Sequence, residues 1–273
     1  MARIPKIIHY CWFGGNPLPD LAKKCIDSWK KMCPDYEIKE WNENTINING
    51  MNAYVREAYK NKKWAFVTDY IRLYIIYNYG GIYLDTDVEL LKNLDVLLDH
   101  DSFFGIENNN VVNTGLGFGA AKGNKLVKML MDDYENVHFI LKNGNLDLEP
   151  CPIRNTKTLS GIFNKFDDYK KINSYKNNYF YPKEYFCPMD NVTKEINITD
   201  NTFSIHYYSG TWLDEKAKKW EQKRKRICDK FGEKNGKRII KIITLPRRIR
   251  NKIKKYGFYG TLKFAVRKVL KTK

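Results

Sequence analysis

A chain of 273 residues, 43% of them hydrophobic, is long enough for one large globular domain with or without an appended segment. Its formal charge of +17 belongs to one end: residues 216–273 hold 23 of the 48 Lys and Arg but only 3 of the 31 Asp and Glu, which leaves residues 1–215 at a net −3. No apolar run approaches the roughly 20 residues of a membrane-spanning helix, so spanning is not expected.

The N-terminal MARIPKIIHYCWF lacks the long apolar stretch of a signal peptide and leads straight into strand-like sequence, so secretion is not expected either. KIIHYCWF reads as a first strand and GGNPLP as a loop, because Gly and Pro punctuate local structure. DLAKKCIDSWKKMC then has helical spacing through Leu21, Cys25, Ser28, Trp29 and Met32, with Asp20 as the expected N-cap, and YEIKEW follows as a second strand. This opening implies a parallel sheet with crossover helices. Residues 51–60 suit a short helix, and WAFVTDYIRLYIIYNY a longer one, apolar nearly all round, closed by Gly80 and Gly81 and therefore expected to be buried. Inside it Asp69 and Arg72, three residues apart, share a face. They form either an internal ion pair or part of a cleft.

GGIYLDTDVEL reads as a strand with Asp85 and Asp87 on one face, since side chains alternate along a strand. DSFFGIE is another strand, and VVNTGLGFGAAKGNKLVKMLMDDY a Gly-punctuated strand leading into a helix. The glycines at 115, 117 and 119 lack the spacing of either nucleotide fingerprint. Residues 140–203, rich in Asn, Lys and Tyr, read as loops and short elements around a site, and TFSIHYYSGTW as a closing strand and loop. The six cysteines form no C-x-x-C pair and no metal-like spacing with the four histidines, so reduced thiols are expected.

Two uncompensated carboxylates on one face repel each other, and a divalent cation removes that penalty. Hard oxygen ligands suit Mg²⁺ or Mn²⁺ bridging to the diphosphate of a nucleotide, where the metal acts as a Lewis acid on the leaving group.

The blocks IPKIIHYCWFGG, WAFVTDYIRLYIIYNYGGIYLDTDV and IHYYSGTW together resemble glycosyltransferase family 32, the sugar-binding-region D-x-D enzymes, over roughly residues 4–212. That family includes capsular polysaccharide enzymes and yeast α-mannosyltransferases, and its core is similar to that of the clostridial glucosylating toxins. The resemblance implies an α/β fold of GT-A type, a Rossmann-like mixed sheet flanked by helices with the nucleotide at the carboxyl ends of its strands. It places Trp12 on the donor base, Asp69 and Arg72 on the donor sugar, Tyr83 beside them, Asp85 on ribose and metal, and Asp87 as principal metal ligand. His206 would complete the metal or diphosphate site, and Trp212 would donate its indole N–H to the β-phosphate. Thr211 stands where the family usually has Ser, which with nearby Ser209 leaves two hydroxyls as candidates for the approach to the metal. Asn113 lies where such folds present a polar side chain to a sugar, with Glu107 nearby. The resemblance further implies a retaining enzyme that makes an α-linkage from a nucleotide sugar, with UDP expected as the nucleotide and Mn²⁺ or Mg²⁺ as the cofactor.

The expected division is a catalytic domain over residues 1–215 and a basic amphipathic helical tail over 216–273. In the tail Ile249, Ile253 and Tyr256 fall at helical spacing, and Leu262, Val266, Val269 and Leu270 continue a stripe after Gly257–Gly260. Such helices lie on anionic membranes, which suggests a cytoplasmic enzyme peripheral to the inner face of the cell membrane. The acceptor would be a growing capsular or surface glycan, lipid-linked through a polyprenyl diphosphate. The alternatives are a toxin-like transferase acting on protein and a nucleic-acid-binding protein using the tail. The latter leaves Asp69, Arg72, Asp85, Asp87, His206 and Trp212 unexplained, so nucleic acid is not an expected partner.

Overall fold

A computed structural model describes residues 3–107, 110–190, 193–210, 215–232, 235–236 and 238–246. It divides into two compact units, residues 1–212 and 213–273. The first unit opens with β1 (Ile7–Cys11), α1 (Asp20–Met32) and β2 (Glu37–Trp41), followed by α2 (Ala53–Lys60), α3 (Trp64–Tyr79), β3 (Gly81–Tyr83) and β4 (Val88–Leu90). Then come β5 (Ser102–Glu107), β6 (Val111–Ala120), α4 (Lys125–Asp132), α5 (Cys151–Thr158), α6 (Ser160–Phe163), β7 (Asn173–Tyr175), β8 (Asn178–Tyr181), α7 (Lys183–Phe186) and β9 (Ser204–His206). In the second unit, α8 covers Glu215–Phe231 and residues 238–246 are helical.

Seven strands form one sheet in the order β2-β1-β3-β6-β5-β8-β7. The expected parallel opening is present, with β1 between β2 and β3 and parallel to both. Beyond it the sheet is mixed: β6 runs antiparallel to β3 and β5, β8 is parallel to β5, and β7 closes the far edge antiparallel to β8. The stretch 140–203, expected as loops and short elements, supplies β7 and β8 to this sheet. Asn178 holds the junction with β5, accepting from the Ser102 hydroxyl at 2.6 Å.

The pleat sorts neighbouring residues between two apolar layers. Ile82 and Phe103 pack with Ile26 and Trp29 of α1, while Tyr83 and Phe104 pack with α3 and α4. Helix α3 is apolar on almost every side because it lies inside the second layer, with ten of its residues from Phe66 to Ile76 buried. Each large apolar side chain so buried stabilises the fold by about 1.5–3 kcal/mol. In α1, Pro19 rather than Asp20 is the N-cap and no side chain caps the first turn. Proline presets the extended entry to the helix, and Asp20, the first helical residue, still favours the positive end of its dipole.

The expected single strand over the acidic run is two strands in two sheets. Strand β3 ends at Tyr83, residues 84–87 turn, and β4 pairs with β9 in a separate two-stranded sheet. Trp29, fully buried, donates its indole N–H to Val88 O at 2.7 Å and so pins the exit of that turn to α1. The turn's entrance rests on His9. Trp41 donates its indole N–H to His9 Nδ1 at 3.0 Å, which leaves Nε2–H to donate to Gly80 O at 2.9 Å. A Cβ at Gly81, where φ is +101°, would lie 2.8 Å from His9 Nε2, so this approach requires glycine.

Burial holds the His9 pKa down to about 4, and protonating Nδ1 would break the Trp41 bond. Because the unfolded chain takes up this proton near pH 6.5 and the folded chain only near 4, stability is full above that window and falls as pH drops through it. The loss is on the order of 3 kcal/mol. Urea midpoints measured from pH 7 to 4 are expected to fall accordingly, with a flatter profile over that window in a His9→Phe variant.

Candidate active site

The site forms at the carboxyl end of β3, where the chain leaves the large sheet. Leu84 N–H still bonds His9 O at 3.1 Å, but Val88 N–H turns back to Asp85 O at 3.0 Å. The turn, not strand alternation, brings Asp85 and Asp87 together. Their side chains are 26% and 14% exposed, whereas those of Arg72 and Asp69 beneath them are 5% and 9% exposed. The two aspartates are therefore the open layer of the site.

Arg72 ties the helix to the turn. Its Nη2 is 3.3 Å from Asp69 and 3.2 Å from Asp85, and its guanidinium lies over the Tyr83 ring at 5.1 Å. Tyr83 in turn donates its hydroxyl to Asp85 at 3.0 Å. The two readings of the Asp69–Arg72 pair are thus compatible, since the pair is buried and also reaches the acidic turn. Burial pushes the Asp69 carboxyl up to about 6 against the attraction of Arg72. Burial likewise raises Asp85, opposed by Arg72 and reinforced by the like charge of Asp87. Deleting Arg72 would leave buried carboxylates unpaired, which typically costs about 3–5 kcal/mol.

Asp87 sits in a different field. Burial would raise its pKa, but the His206 imidazole 3.2 Å away and the Ser209 N–H at 2.8 Å hold its carboxyl well below the usual carboxylate range. Burial acts to lower His206, and Asp87 and then Asp85 outweigh it, so the imidazole is raised. The strand β9 delivers His206 directly opposite Val88. Tyr208, at φ +49°, bends the chain so that Tyr207 N–H meets Asp87 O and Ser209 N–H meets its carboxylate. A bulky residue in that conformation costs about 1–2 kcal/mol, offset here by the Tyr208 hydroxyl's contacts with Cys187 at 2.6 Å and Glu107 at 3.2 Å.

Asp85, Asp87 and His206 each offer a ligand atom within 4.8 Å of the others. His206 Nδ1 is buried without a hydrogen-bond partner among the described residues. Two carboxylates and an imidazole fit a divalent cation, which would relieve the Asp85–Asp87 repulsion and compete with the proton on His206. A cleft of about 70 Å³ opens beside Asp87, lined also by Pro19, Leu21, Ala22, Thr86 and Ser209.

Strand β6 forms the adjoining wall. Between the pairs Gly105↔Asn113 and Phe104↔Phe118 it leaves the register of β5, and residues 114–117 bulge. This carries Gly115 against the acidic turn, where a Cβ would lie 2.4 Å from Asp85 Oδ2 and 3.1 Å from both Arg72 Nη1 and Asn113 Oδ1. Asn113 is buried, donating to Glu107 at 2.9 Å and accepting from Gly115 N–H at 2.7 Å. Its amide thus shapes the bulge. Trp12 follows β1, half-buried, with its indole N–H donated to Asn16 O at 2.6 Å. Thr211 and Trp212 lie outside the described residues.

Of the expected site residues, Asp69, Arg72, Tyr83, Asp85, Asp87 and His206 are joined by these contacts. Gly115, Tyr208 and Cys151, whose Sγ accepts from Arg72 Nη1 at 3.8 Å, escaped sequence reasoning. A glycine inside a strand does signal close backbone approach, but the three glycines of the run were weighed only as a phosphate loop. Cys151 carried no signal.

Residues 19–104 match the family described as "Glycosyltransferase sugar-binding region containing DXD motif", and Asp85-Thr86-Asp87 lies inside the matched segment. The chain is 33% identical to inositol phosphoceramide mannosyltransferase 3 of Schizosaccharomyces pombe over 50% of its own length and 40% of the relative's. It is 32% identical to an uncharacterized glycosyltransferase of Acanthamoeba polyphaga mimivirus over 37% and 42% of the two chains. The chain thus spans about two fifths of the length of these curated relatives. Among solved structures, PaToxG glycosyltransferase overlaps with a TM-score of 0.46 at 19% identity, covering 58% of this chain and 69% of that one. A glycosyltransferase involved in the glycosylation of the major capsid of PBCV-1 overlaps with a TM-score of 0.42 at 11% identity, covering 80% and 99%.

Gly115→Ala is expected to push Asp85 out of the ligand set while leaving the sheet intact. Mn²⁺ titration followed by electron paramagnetic resonance should show affinity reduced about 10- to 100-fold with an unchanged circular dichroism spectrum. Unaltered Mn²⁺ affinity would mean that Asp85 tolerates the displacement.

Proposed function

We propose that this chain is a metal-dependent glycosyltransferase that moves a sugar from a nucleotide-sugar donor, with UDP as the expected nucleotide, to a glycan acceptor. The observation that carries this reading is the continuity of two half-sites: the Asp85–Asp87–His206 ligand set and the buried Asp69–Arg72 pair share Asp85. A donor diphosphate held at the first half-site would place its sugar toward the second.

A bound divalent cation would offset the charge that develops on the departing diphosphate. Asp87, kept ionised, would be its principal ligand, with Asp85 and His206 beside it. Arg72, fully charged and fixed by two carboxylates, would present its remaining N–H groups to the sugar or phosphate, and Asp69 would accept from sugar hydroxyls. Trp12, beyond the end of β1, would stack on the base. Asn113 and Tyr83 would hold the donor side of the pocket, and Thr211 and Trp212 would close on the diphosphate. The family resemblance supports retention, hence an α-linked product, which proton NMR of the anomeric signal would establish.

Isothermal titration with UDP, GDP and their glucose, galactose, N-acetylglucosamine and mannose derivatives, with and without Mn²⁺, tests this reading. Mannose belongs in the panel because of the names of the relatives. One nucleotide family should bind only with metal, and Asp87→Asn should abolish that dependence and lower turnover about 100-fold or more. Binding of none of them with metal would overturn the proposal.

We further propose that the catalytic domain, residues 1–215, is held at the inner face of the cell membrane by its basic tail, where a polyprenyl-diphosphate-linked surface or capsular glycan would be its acceptor. Among the described residues no helix is long and apolar enough to cross a membrane. Exposed Lys223, Lys225, Arg226 and Lys230 share the tail with exposed Phe231, Ile242, Ile243 and Leu245, a composition that supports interfacial docking. The hydrophobic positions expected from Ile249 to Leu270 lie outside the described residues. The full chain should co-sediment with phosphatidylglycerol vesicles at a roughly physiological ionic strength of about 0.15 M. It should not co-sediment with phosphatidylcholine vesicles. Replacing Lys223, Lys225 and Arg226 by Glu should release it, since each basic residue near an anionic surface contributes about 1 kcal/mol. Equal binding to both vesicle types would refute electrostatic docking.

A further inference from the structure

The mechanism above leaves one polar group at the Asp69–Arg72 pair without a role. Cys151, the first residue of α5, is buried, with its Sγ accepting from Arg72 Nη1 at 3.8 Å and its thiol interacting with the Asp69 carboxylate that the same guanidinium pairs. Arg72 can only donate and the Asp69 carboxylate can only accept. A protonated thiol does both, so it can bridge the two charged groups from one atom. Burial keeps this thiol protonated by pushing its pKa well above the ordinary range.

The position of Cys151 is set by the wall that forms the rest of the site. Proline on either side presets the start of the helix, and α5 is then tied to β6 on both sides of Asn113. Val112 N–H donates to Thr156 Oγ1 at 2.8 Å, and Asn155 Nδ2 donates to Thr114 Oγ1 at 3.2 Å. On its other side, buried Arg154 donates to Asp133 at 3.0 Å and to Asp147 at 2.6 Å. A helix anchored on both sides thus aims one thiol at the two residues proposed to meet the sugar.

We propose that Cys151 is a positioning residue for the donor sugar, its thiol fixing Asp69 and Arg72 in the geometry that sugar hydroxyls require. The inference rests on the glycosyltransferase reading and deepens it. It separates the diphosphate half of the site, which does not touch Cys151, from the sugar half, which does. Serine can bridge the pair in the same way, whereas alanine cannot.

The test is isothermal titration, with Mn²⁺, of wild type, Cys151→Ser and Cys151→Ala against UDP and UDP-glucose, or GDP and GDP-mannose, whichever pair the wild type binds. Melting curves of each variant check the fold. Cys151→Ala is expected to bind the free diphosphate within about 2-fold of wild type but the sugar-bearing donor about 5- to 10-fold more weakly, as for loss of a hydrogen bond to a charged group. Its KM for the donor should rise in parallel, and Cys151→Ser should restore both to within about 2-fold. Equal affinity of Cys151→Ala and wild type for the sugar-bearing donor would overturn the proposal, as would a proportional loss for both ligands. A wild-type chain with no metal-linked nucleotide binding would overturn the glycosyltransferase reading itself, and the role of Cys151 with it.

Discussion

The arrangement of this protein depends on the charge of Arg72. A guanidinium buried in the middle of an apolar helix is tolerable only with carboxylates against it, and it has two, one from its own helix and one from the acidic turn. That requirement joins α3, which could otherwise rotate within its apolar layer, to the end of β3. It also determines the asymmetry of the acidic pair. Asp85 is held by arginine from below and is disfavoured as an anion by burial, while Asp87 is held by His206 and the Ser209 N–H and remains ionised. The two aspartates look equivalent in D-x-D and differ in the fold because their partners come from different elements.

Space around this charged cluster is made by backbone rather than by side chains. The bulge of β6 removes residues 114–117 from the β5 register, and Gly115 leaves room for the Asp85 carboxylate. The β3–β4 turn exits to a second sheet, whose partner strand β9 carries His206. A chain that had continued as one strand would have kept Asp87 in the large sheet and away from that histidine. The strained Tyr208 conformation serves the same end, turning a backbone N–H toward Asp87.

Helix α5 shows how a segment of weak sequence pattern can still be a rigid wall. Its hydrophobic periodicity is poor, because several of the residues that hold it are polar: Arg154 to Asp133 and Asp147, Asn155 to Thr114, and Thr156 to the Val112 backbone. Polar anchoring of this kind leaves no periodic trace for a reading based on apolar spacing. The region 140–203 therefore read only as loops and short elements, with no sign that it supplies this wall and two strands of the sheet.

By itself the sequence determined the α/β alternation of the first unit, the buried character of α3, the acidic pair and the concentration of basic charge in the tail. Each of these depends on local spacing or composition: apolar runs of strand or helix length, two aspartates one residue apart, lysines and arginines crowded into the last 58 positions. The resemblance in three separated blocks also selected Asp69, Arg72 and His206 from many similar residues. Tertiary structure alone decided that the acidic run breaks into a turn between two sheets, that one arginine serves both Asp69 and Asp85, and that Gly115 and Cys151 border them. The physical reason is that the deciding contacts join residues 13 to 119 apart along the chain, from Arg72–Asp85 to Asp87–His206, set by strand register and helix packing. Register is a property of pairs of strands, and no single segment encodes it.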